Sequence, residues 1–406
     1  MSQHEIIPVT GDVHWIGVLD HDIVTFDIVM ETKYGTTYNS YFIDAGKKTI
    51  VETVKDGFYD VFFSKIKQLT DPSQIEYIVV NHTEPDHSGS LRHLLHIAPQ
   101  VTVVGSGNAI RFLQDITGVE FRSLQVKDGD TLDLGNKTLR FIGAPNLHWP
   151  DTMFTYLEED QLLFTCDSFG AHFCNEKMFD DAVGNFDESF KYYFDVILKP
   201  FSRFMLKAIE KIRPLPVRVI CPGHGPILRS HWRKYVDLSA GWAAEYLKQT
   251  ETEEWRVLIA YVSAYGYTAA MAQAIAAGLK KSGGIEVELA DIEMMSAVEM
   301  ERLVIRSNAI LVGSPTINQN TLMPVYKLFS VMNPLRDKGK AASSFGSYGW
   351  SGEAVKIIDQ ILRNLKLDVM DGVAFKFHPG EAQTRELENF GMQFASQLKK
   401  KAKQGM

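Results

Sequence analysis

From Trp255 onward the chain alternates strand and helix with a regularity that leaves few folds open. "RVLIAYVS" reads as a strand, "TAAMAQAIAAGLKKSG" as a helix and "IEVELADI" as a strand. "SAVEMERLVIRS" is a helix, "NAILVGSPT" a strand and "LMPVYKLFSVMNPL" a helix. "KAASSFGSYGW" contains a strand, "GEAVKIIDQILRNLK" is a helix, and a last strand near "VAFKF" precedes a terminal helix. Strands separated by helices cannot form tight hairpins, so five of them predict a parallel sheet covered on both faces. Residues 255–406 are therefore expected to form one doubly wound α/β domain.

The preceding residues follow another pattern. "TTYNSYFIDAGKKTIVETV" predicts two strands joined at a Gly-Lys turn, and "GFYDVFFSKIKQL" has helical spacing. "IEYIVV" is a strand, followed by a loop from Asn81, a helix from about Leu91 and the strand "VTVVG". Hairpins are expected over Asp130–Ile142 and through "MFTYLEEDQLLFTCD". One helical stretch from Phe186 to Ile212 leads to the strand "VRVICPGHG", and "HWRKYVDLSAGWAAEYLKQT" closes this half as a helix. The polar run Thr250–Glu254 reads as a linker, giving domains 1–250 and 255–406.

Composition narrows the class of function. With a net charge of −8, and a basic run only at Lys399–Lys403, a nucleic-acid partner is not expected. No secretory signal and no bilayer-spanning apolar run is visible. The cysteines, Cys166, Cys174 and Cys221, form no C-x-x-C, so neither a rubredoxin-type iron site nor a thiolate zinc site is available; a cytoplasmic location is expected.

The chemistry concentrates at strand ends. "NHTEPDHSGS" puts His82, Glu84, Asp86 and His87 after the strand "IEYIVV". Spacing of two directly after a strand can turn His82, Glu84 and Asp86 toward one centre. His148 in "LHWPDT", Asp167 in "LLFTCDS" and His224 in "VICPGHG" each follow another strand. Buried carboxylates are costly unless paired or bound to metal, so the set predicts a metal site. "VTVVGSGNAI" also carries Gly105-x-Gly107 at the start of a helix, but Ile110 stands where a dinucleotide fingerprint needs glycine, so this is read as a turn.

A second cluster lies in the α/β domain. "YVSAYGYTAAMA" joins a strand to a helix, with Ser263, Ala264, Tyr265, Gly266, Tyr267 and Thr268 at the junction. Hydroxyls and a tight backbone at a helix start favour a phosphate group. "GSPTINQN" offers Ser314, Pro315, Thr316 and Asn318; "FGSYGWSG" offers Ser347, Tyr348, Gly349, Trp350 and Gly352. Aromatic rings among glycines suit a flat ligand that needs stacking and close backbone contacts.

The motif H-x-[HE]-x-D-H, followed by His, Asp and His, resembles the metallo-β-lactamase superfamily, whose hydrolases have His where this chain has Glu84. A carboxylate there favours iron over zinc. The Ser263–Thr268 loop resembles the flavodoxin phosphate loop T-x-T-G-x-T. Together "HTEPDH", "LHWPDTMFTY", "DSFGAH", "GHG" and "VGSPTIN" make the chain resemble the flavodiiron proteins, or A-type flavoproteins, over nearly its whole length. That resemblance implies an N-terminal metallo-β-lactamase-like αββα sandwich and a C-terminal flavodoxin-like sheet that binds FMN. It implies one iron on His82, Glu84 and His148, a second on Asp86, His87 and His224, and Asp167 bridging. Family members differ in whether the residue matching His87 binds iron. His172 and Tyr193, with Tyr192 as the alternative, fall where the family places groups that donate protons or hydrogen bonds. The implied reaction is reduction of dioxygen to water, of nitric oxide to nitrous oxide, or both. The implied donor is rubredoxin or a reduced deazaflavin, and the implied assembly a head-to-tail homodimer or a tetramer. A two-zinc hydrolase with a docking domain, or an electron carrier with a dead metal site, would be the rival readings.

Overall fold

Apolar strands of the first unit sort into two sheets that share one core. The computed structural model describes residues 4–26, 30–250 and 255–404, and the chain divides into two units, 1–245 and 246–406. Residues 251–254 of the expected linker lie outside the described residues, and Thr250 ends the helix Trp232–Thr250.

In the first unit a seven-stranded sheet runs in the order Ile7–Pro8, Val13–Trp15, Tyr41–Ile43, Lys48–Val51, Ile75–Val79, Thr102–Gly105, Arg122–Gln125. A five-stranded sheet runs Thr131–Asp133, Thr138–Gly143, Met153–Leu157, Leu162–Cys166, Val219–Pro222. Val13, Tyr41, Val51 and Val104 from the first sheet pack with Phe141, Leu157, Phe164 and Val219 from the second. The outer face of the first sheet is covered by Phe62, Ile66, Leu94, Ile110 and Leu113 from its helices, and that of the second by Phe190, Met205 and Ile209. Helix, sheet, sheet, helix is the expected αββα sandwich.

Three local expectations change. "TTYNSYFIDAGKKTIVETV" holds three strands, because Thr36–Tyr38 leaves the main sheet to pair with Val18–Asp20. The stretch Phe186–Ile212 is interrupted: helix Asp187–Tyr193 widens to a π-turn over Phe194–Leu198, passes a tight turn at Lys199–Phe201 and resumes at Ser202. Pro200 cannot donate a helical hydrogen bond, and π-turns recur at functional sites. Finally, the Asn81 loop contains a helical turn, Pro85–Ser88, begun by the fixed φ of Pro85.

The second unit is the expected parallel sheet, in the order Ile285–Asp291, Trp255–Tyr261, Ala309–Gly313, Ala341–Tyr348, Asp368–Val369. The fifth strand is split: Asp368–Val369 and Val373–Lys376 both pair with Ala341–Tyr348 in parallel. Gly372 sits between them, where an added Cβ would lie 2.2 Å from Ser344 Oγ. Helices Tyr267–Lys281 and Glu381–Gln404 pack together; a Cβ on Gly278 would meet the Glu388 carbonyl at 2.0 Å, so their backbones touch. Among the described residues no helix is long and apolar enough to cross a membrane.

Candidate functional site

The first unit's four strand ends converge in its interior. His82, Asp86, His87, Asp167 and His224 are all buried, and Glu84 and His148 nearly so. The spacing of two does not aim at one centre. The turn begun at Pro85 swings Asp86 and His87 away from His82 and Glu84. The expected donors fall into two groups, His82, Glu84, His148 and Asp167, and beside them Asp86, His87 and His224, while a third cluster, Glu52, His87 and Cys166, shares His87.

Asp167 stands between the groups. Its Oδ2 lies 3.4 Å from His82 Nε2 and 3.4 Å from His148 Nε2. Its Oδ1 lies 3.1 Å from His87 Nε2 and 3.5 Å from His224 Nε2. Glu84 Oε2 closes the first group, 2.9 Å from His148 Nε2 and 3.3 Å from His82 Nε2. In the second, Asp86 Oδ2 lies 3.0 Å from His224 Nε2 and 3.4 Å from His87 Nε2.

Outer contacts fix the tautomers of two of the rings, His224 and His82. His224 Nδ1 donates to the Thr37 carbonyl at 2.6 Å, which leaves Nε2 facing inward with its lone pair. His82 Nδ1 donates to Asp151 Oδ2 at 3.1 Å, and that same oxygen accepts from Thr83 N and Thr83 Oγ1. His87 Nδ1 faces the Cys166 thiol at 3.6 Å, and a Cβ on Gly223 would come within 2.6 Å of His87 Cε1, so this ring lies in a slot that only glycine leaves open.

This donor set fits two metal ions. Both oxygens of Asp86 and Oδ2 of Asp167 are buried without a hydrogen bond, although His224 Nε2 is close to Asp86. Close donors that do not point at each other point at a common third position. Two ligand atoms at right angles about a metal are ~3 Å apart when each bond is ~2.1 Å. Charge supports the same conclusion. Burial opposes protonation of His82, His148 and His224, yet carboxylate contacts overcome it: His82 is pushed well above its ordinary value, His148 to about 9 and His224 to about 10. Burial likewise opposes ionisation of Glu84, but the imidazoles hold it at about 2, and Asp167 is held well below the carboxylate range. Four carboxylates including Asp151 require cations here, and without metal the imidazoles bind protons to supply them.

Around this set, Tyr193 is buried and donates to Asp167 Oδ1 at 2.9 Å, whereas Tyr192 is exposed. His172 Nδ1 meets Thr36 Oγ1 at 2.9 Å; its buried Nε2 has no hydrogen-bond partner. Burial, then the field of His224, pushes His172 down to about 3, so it is neutral at physiological pH. A cavity of about 220 Å³ lined by His172, Tyr192, Lys33 and Glu188 opens on it. Glu52, Asn146, Cys166 and Phe169 have φ of 62°, 66°, 49° and 66°; non-glycine backbone is held in the left-handed region at several points close to the candidate ligands.

Sequence reading passed over Asp151, Glu52, Cys166 and Thr37. Asp151 stood inside the quoted "LHWPDT", and a carboxylate three residues after a candidate ligand was its only signal. Glu52 gives one oxygen to Asn81 N at 2.7 Å, and burial pushes it up to about 7.

In the second unit the three glycine- and hydroxyl-bearing loops leave the C-terminal ends of adjacent strands and meet. Gly266, at φ 79°, starts the helix Tyr267–Lys281, whose first turn carries no acid; Ser263 Oγ accepts from Ala269 N at 3.2 Å. Thr268 Oγ1 lies 3.0 Å from Ser347 Oγ, joining the first loop to the third. Thr316 N donates to the Ser347 carbonyl at 2.8 Å, and Ala354 N to Thr316 Oγ1, joining the second. Ser314 is buried, its hydroxyl on the Pro315 carbonyl, and Asn318 has φ 51°. Tyr348 packs against Gly352, where a Cβ would lie 3.2 Å from its ring. Tyr265 and Trp350 are 79% and 86% exposed. Ala264 and Gly349 lie in the same loops. Phe377 and His378, not foreseen, join this face: Phe377 N donates to the Tyr348 carbonyl, and His378 meets the Tyr267 ring edge-on at 5.5 Å. The Gly105-x-Gly107 turn is separate. Ser106 caps its helix, and Gly105 lets the strand approach Ala109.

Known proteins share this organisation. Residues 36–225 match the ODP family beta lactamase model and residues 259–391 the flavodoxin model. The flavo-diiron protein FprA2 of Clostridium acetobutylicum is 38% identical, covering 97% of this chain and 99% of its own. A Moorella thermoacetica protein named nitric oxide reductase is 35% identical over 90% of this chain and 91% of its own. Among solved structures, rubredoxin oxygen:oxidoreductase from Desulfovibrio gigas superposes with a TM-score of 0.66 at 28% identity, over 98% of this chain and 100% of its own. With both domain types in this order and full-length relatives above 30% identity, the chain belongs to the flavodiiron (type A flavoprotein) family of oxidoreductases.

Proposed function

We propose that this protein reduces dioxygen to water, nitric oxide to nitrous oxide, or both, at a di-iron site fed by FMN. The observation that carries this reading is Asp167, with one oxygen turned to each of two groups of imidazole and carboxylate donors. His82, Glu84 and His148 would hold one iron, Asp86, His87 and His224 the other, with Asp167 as the bridge. Glu84 in place of an imidazole disfavours the two-zinc hydrolase, and the complete donor set disfavours a carrier with a dead metal site.

When bound, the iron pair supplies two electrons and FMN two more, enough for O2 + 4e⁻ + 4H⁺ → 2H2O, or twice 2NO + 2e⁻ + 2H⁺ → N2O + H2O. The protein's own groups supply position and protons. Tyr193 holds Asp167 through its hydroxyl and can pass a proton toward it. Neutral His172 presents an unpaired Nε2, and the cavity beside it suits a small uncharged substrate. In the second unit, Ser263, Gly266, Tyr267 and Thr268 would hold the FMN phosphate. The loops at Ser314–Asn318 and Ser347–Gly352 would hold the isoalloxazine ring, with Tyr265, Tyr348 and Trp350 against its faces.

The domains are assigned as 1–250 for the metal-binding part and 255–406 for the FMN-binding part. A head-to-tail homodimer, singly or paired as a tetramer, would bring the flavin of one subunit to the iron of the other. Rubredoxin or a reduced deazaflavin is the proposed donor. A cytoplasmic location fits three free cysteines, two of them buried. Relatives carry names pointing to each substrate. Anaerobic stopped-flow of the reduced protein against dioxygen and nitric oxide in separate runs tests the reading. Flavin and iron oxidised by neither gas would overturn it.

A further inference from the structure

The three imidazoles with a described outer contact have unequal partners. His82 Nδ1 has a carboxylate, His224 Nδ1 a backbone carbonyl and His87 Nδ1 a thiol 3.6 Å away. A carboxylate draws the Nδ1 proton most strongly, so it makes the opposite nitrogen the best donor and fixes the ring most firmly. Asp151 is built for that task. It is completely buried, and its Oδ2 is pinned from two sides by Thr83 N at 2.8 Å and Thr83 Oγ1 at 3.0 Å. Its other oxygen, Oδ1, has no protein partner, and Asp151 lines a cavity of about 530 Å³ with Ser106, Pro150 and Thr152, room enough for water. Behind the second group, His224 has a neutral carbonyl and His87 a thiol; a Glu52 oxygen lies within 4.8 Å of His87 but, among the described residues, no carboxylate hydrogen-bonds an outer nitrogen there as Asp151 does at His82.

We propose that Asp151 is a positioning residue that makes the two metal positions unequal, the one held by His82, Glu84 and His148 retaining its ion more tightly than the one held by Asp86, His87 and His224. The inference rests on the di-iron reading above. It assigns Asp151 no contact with metal or substrate; the residue acts through the His82 ring.

The experiment uses the full-length protein loaded with ⁵⁷Fe and FMN. Iron is withdrawn anaerobically by a ferrous chelator, and Mössbauer spectra follow the two sites separately. In the wild type, one quadrupole doublet is expected to disappear before the other. Asp151→Asn keeps the shape and can still accept from His82, but loses the charge. The slower doublet should then be lost ~10–100-fold faster, with the faster doublet and the FMN content unchanged. Asp151→Glu, which keeps the charge displaced by one methylene, should fall between wild type and Asn, and it serves if the Asn variant does not fold. Equal loss of both doublets in the wild type, or unchanged or uniformly faster loss in the folded variants, overturns the proposal. A wild type that takes up no iron pair would instead overturn the di-iron reading itself.

Discussion

The two candidate sites are built on opposite plans. In the first unit the donors are buried or nearly so, and His82 and His224 are oriented by partners behind them. In the second, loops at strand ends are tied together by Thr268, Ser347 and Thr316, while Tyr265 and Trp350 stand in solvent. A buried polar site must be neutralised and satisfied by its own fold, so its geometry is fixed at the cost of concentrated charge. An exposed site avoids that cost, and its aromatic rings gain burial only when a ligand covers them, each ring offering about 150–250 Å². The first arrangement suits two small ions, the second a large planar cofactor.

Substitutions can separate the two plans. The largest expected effect is from Asp167→Asn, which removes the one carboxylate facing both groups. Reductase turnover should be abolished and iron content should fall, while FMN stays stoichiometric; metal analysis and the flavin spectrum read both, and full iron with full activity would end the bridging assignment. The mirror experiment is Ser263→Ala with Thr268→Val. Each hydroxyl lost from a charged phosphate should cost about 1.5–3 kcal/mol of FMN binding, seen by flavin fluorescence titration, with iron content unchanged.

Smaller effects sharpen the contrast. Gly223→Ala places a Cβ against the His87 ring and should cost ~1–3 kcal/mol of stability, with iron loss confined to one position. A denaturant titration and iron analysis check it. Acidity should also divide the units. In the metal-free protein the imidazole contribution to stability is complete below about 6.5 and is lost as pH rises through the raised values of His148, about 9, and His224, about 10. The Glu84 contribution is present above 4.5 and is lost as pH falls toward about 2. The melting temperature of the metal-free first unit should therefore decline from pH 6.5 to 10. Iron-loaded protein, whose imidazoles are already deprotonated, should lack that decline, and calorimetry of both forms tests the difference. Least of all, Tyr192→Phe should change stability by no more than about 0.5 kcal/mol, whereas Tyr193→Phe leaves Asp167 Oδ1 without its hydroxyl donor and should slow turnover at full iron occupancy.

Legibility in the sequence follows the same division. The second unit's alternation was readable because strand and helix periods differ and polar turns separate them. Its split last strand was not, since that depends on Gly372 packing against Ser344. In the first unit the candidate donors were readable because carboxylates buried at apolar strand ends are costly unless paired or bound to metal. Their division into two groups depended on one helical turn at Pro85, too short to show a period. Asp151, Glu52 and Cys166 carry no spacing relative to the residues they support; only the packed sandwich brings them together.

His224 follows the last strand of the second sheet, Val219–Pro222, far along the chain from His82. During synthesis the nascent chain can display His82, Glu84 and His148 long before Asp86 and His87 gain their third partner. A half-site of two imidazoles and one carboxylate, open to whatever divalent ion is abundant, would invite the wrong metal. Both groups of candidate donors are therefore complete only after "GHG" has left the ribosome and the sandwich has closed, while much of the flavodoxin-like unit is still untranslated.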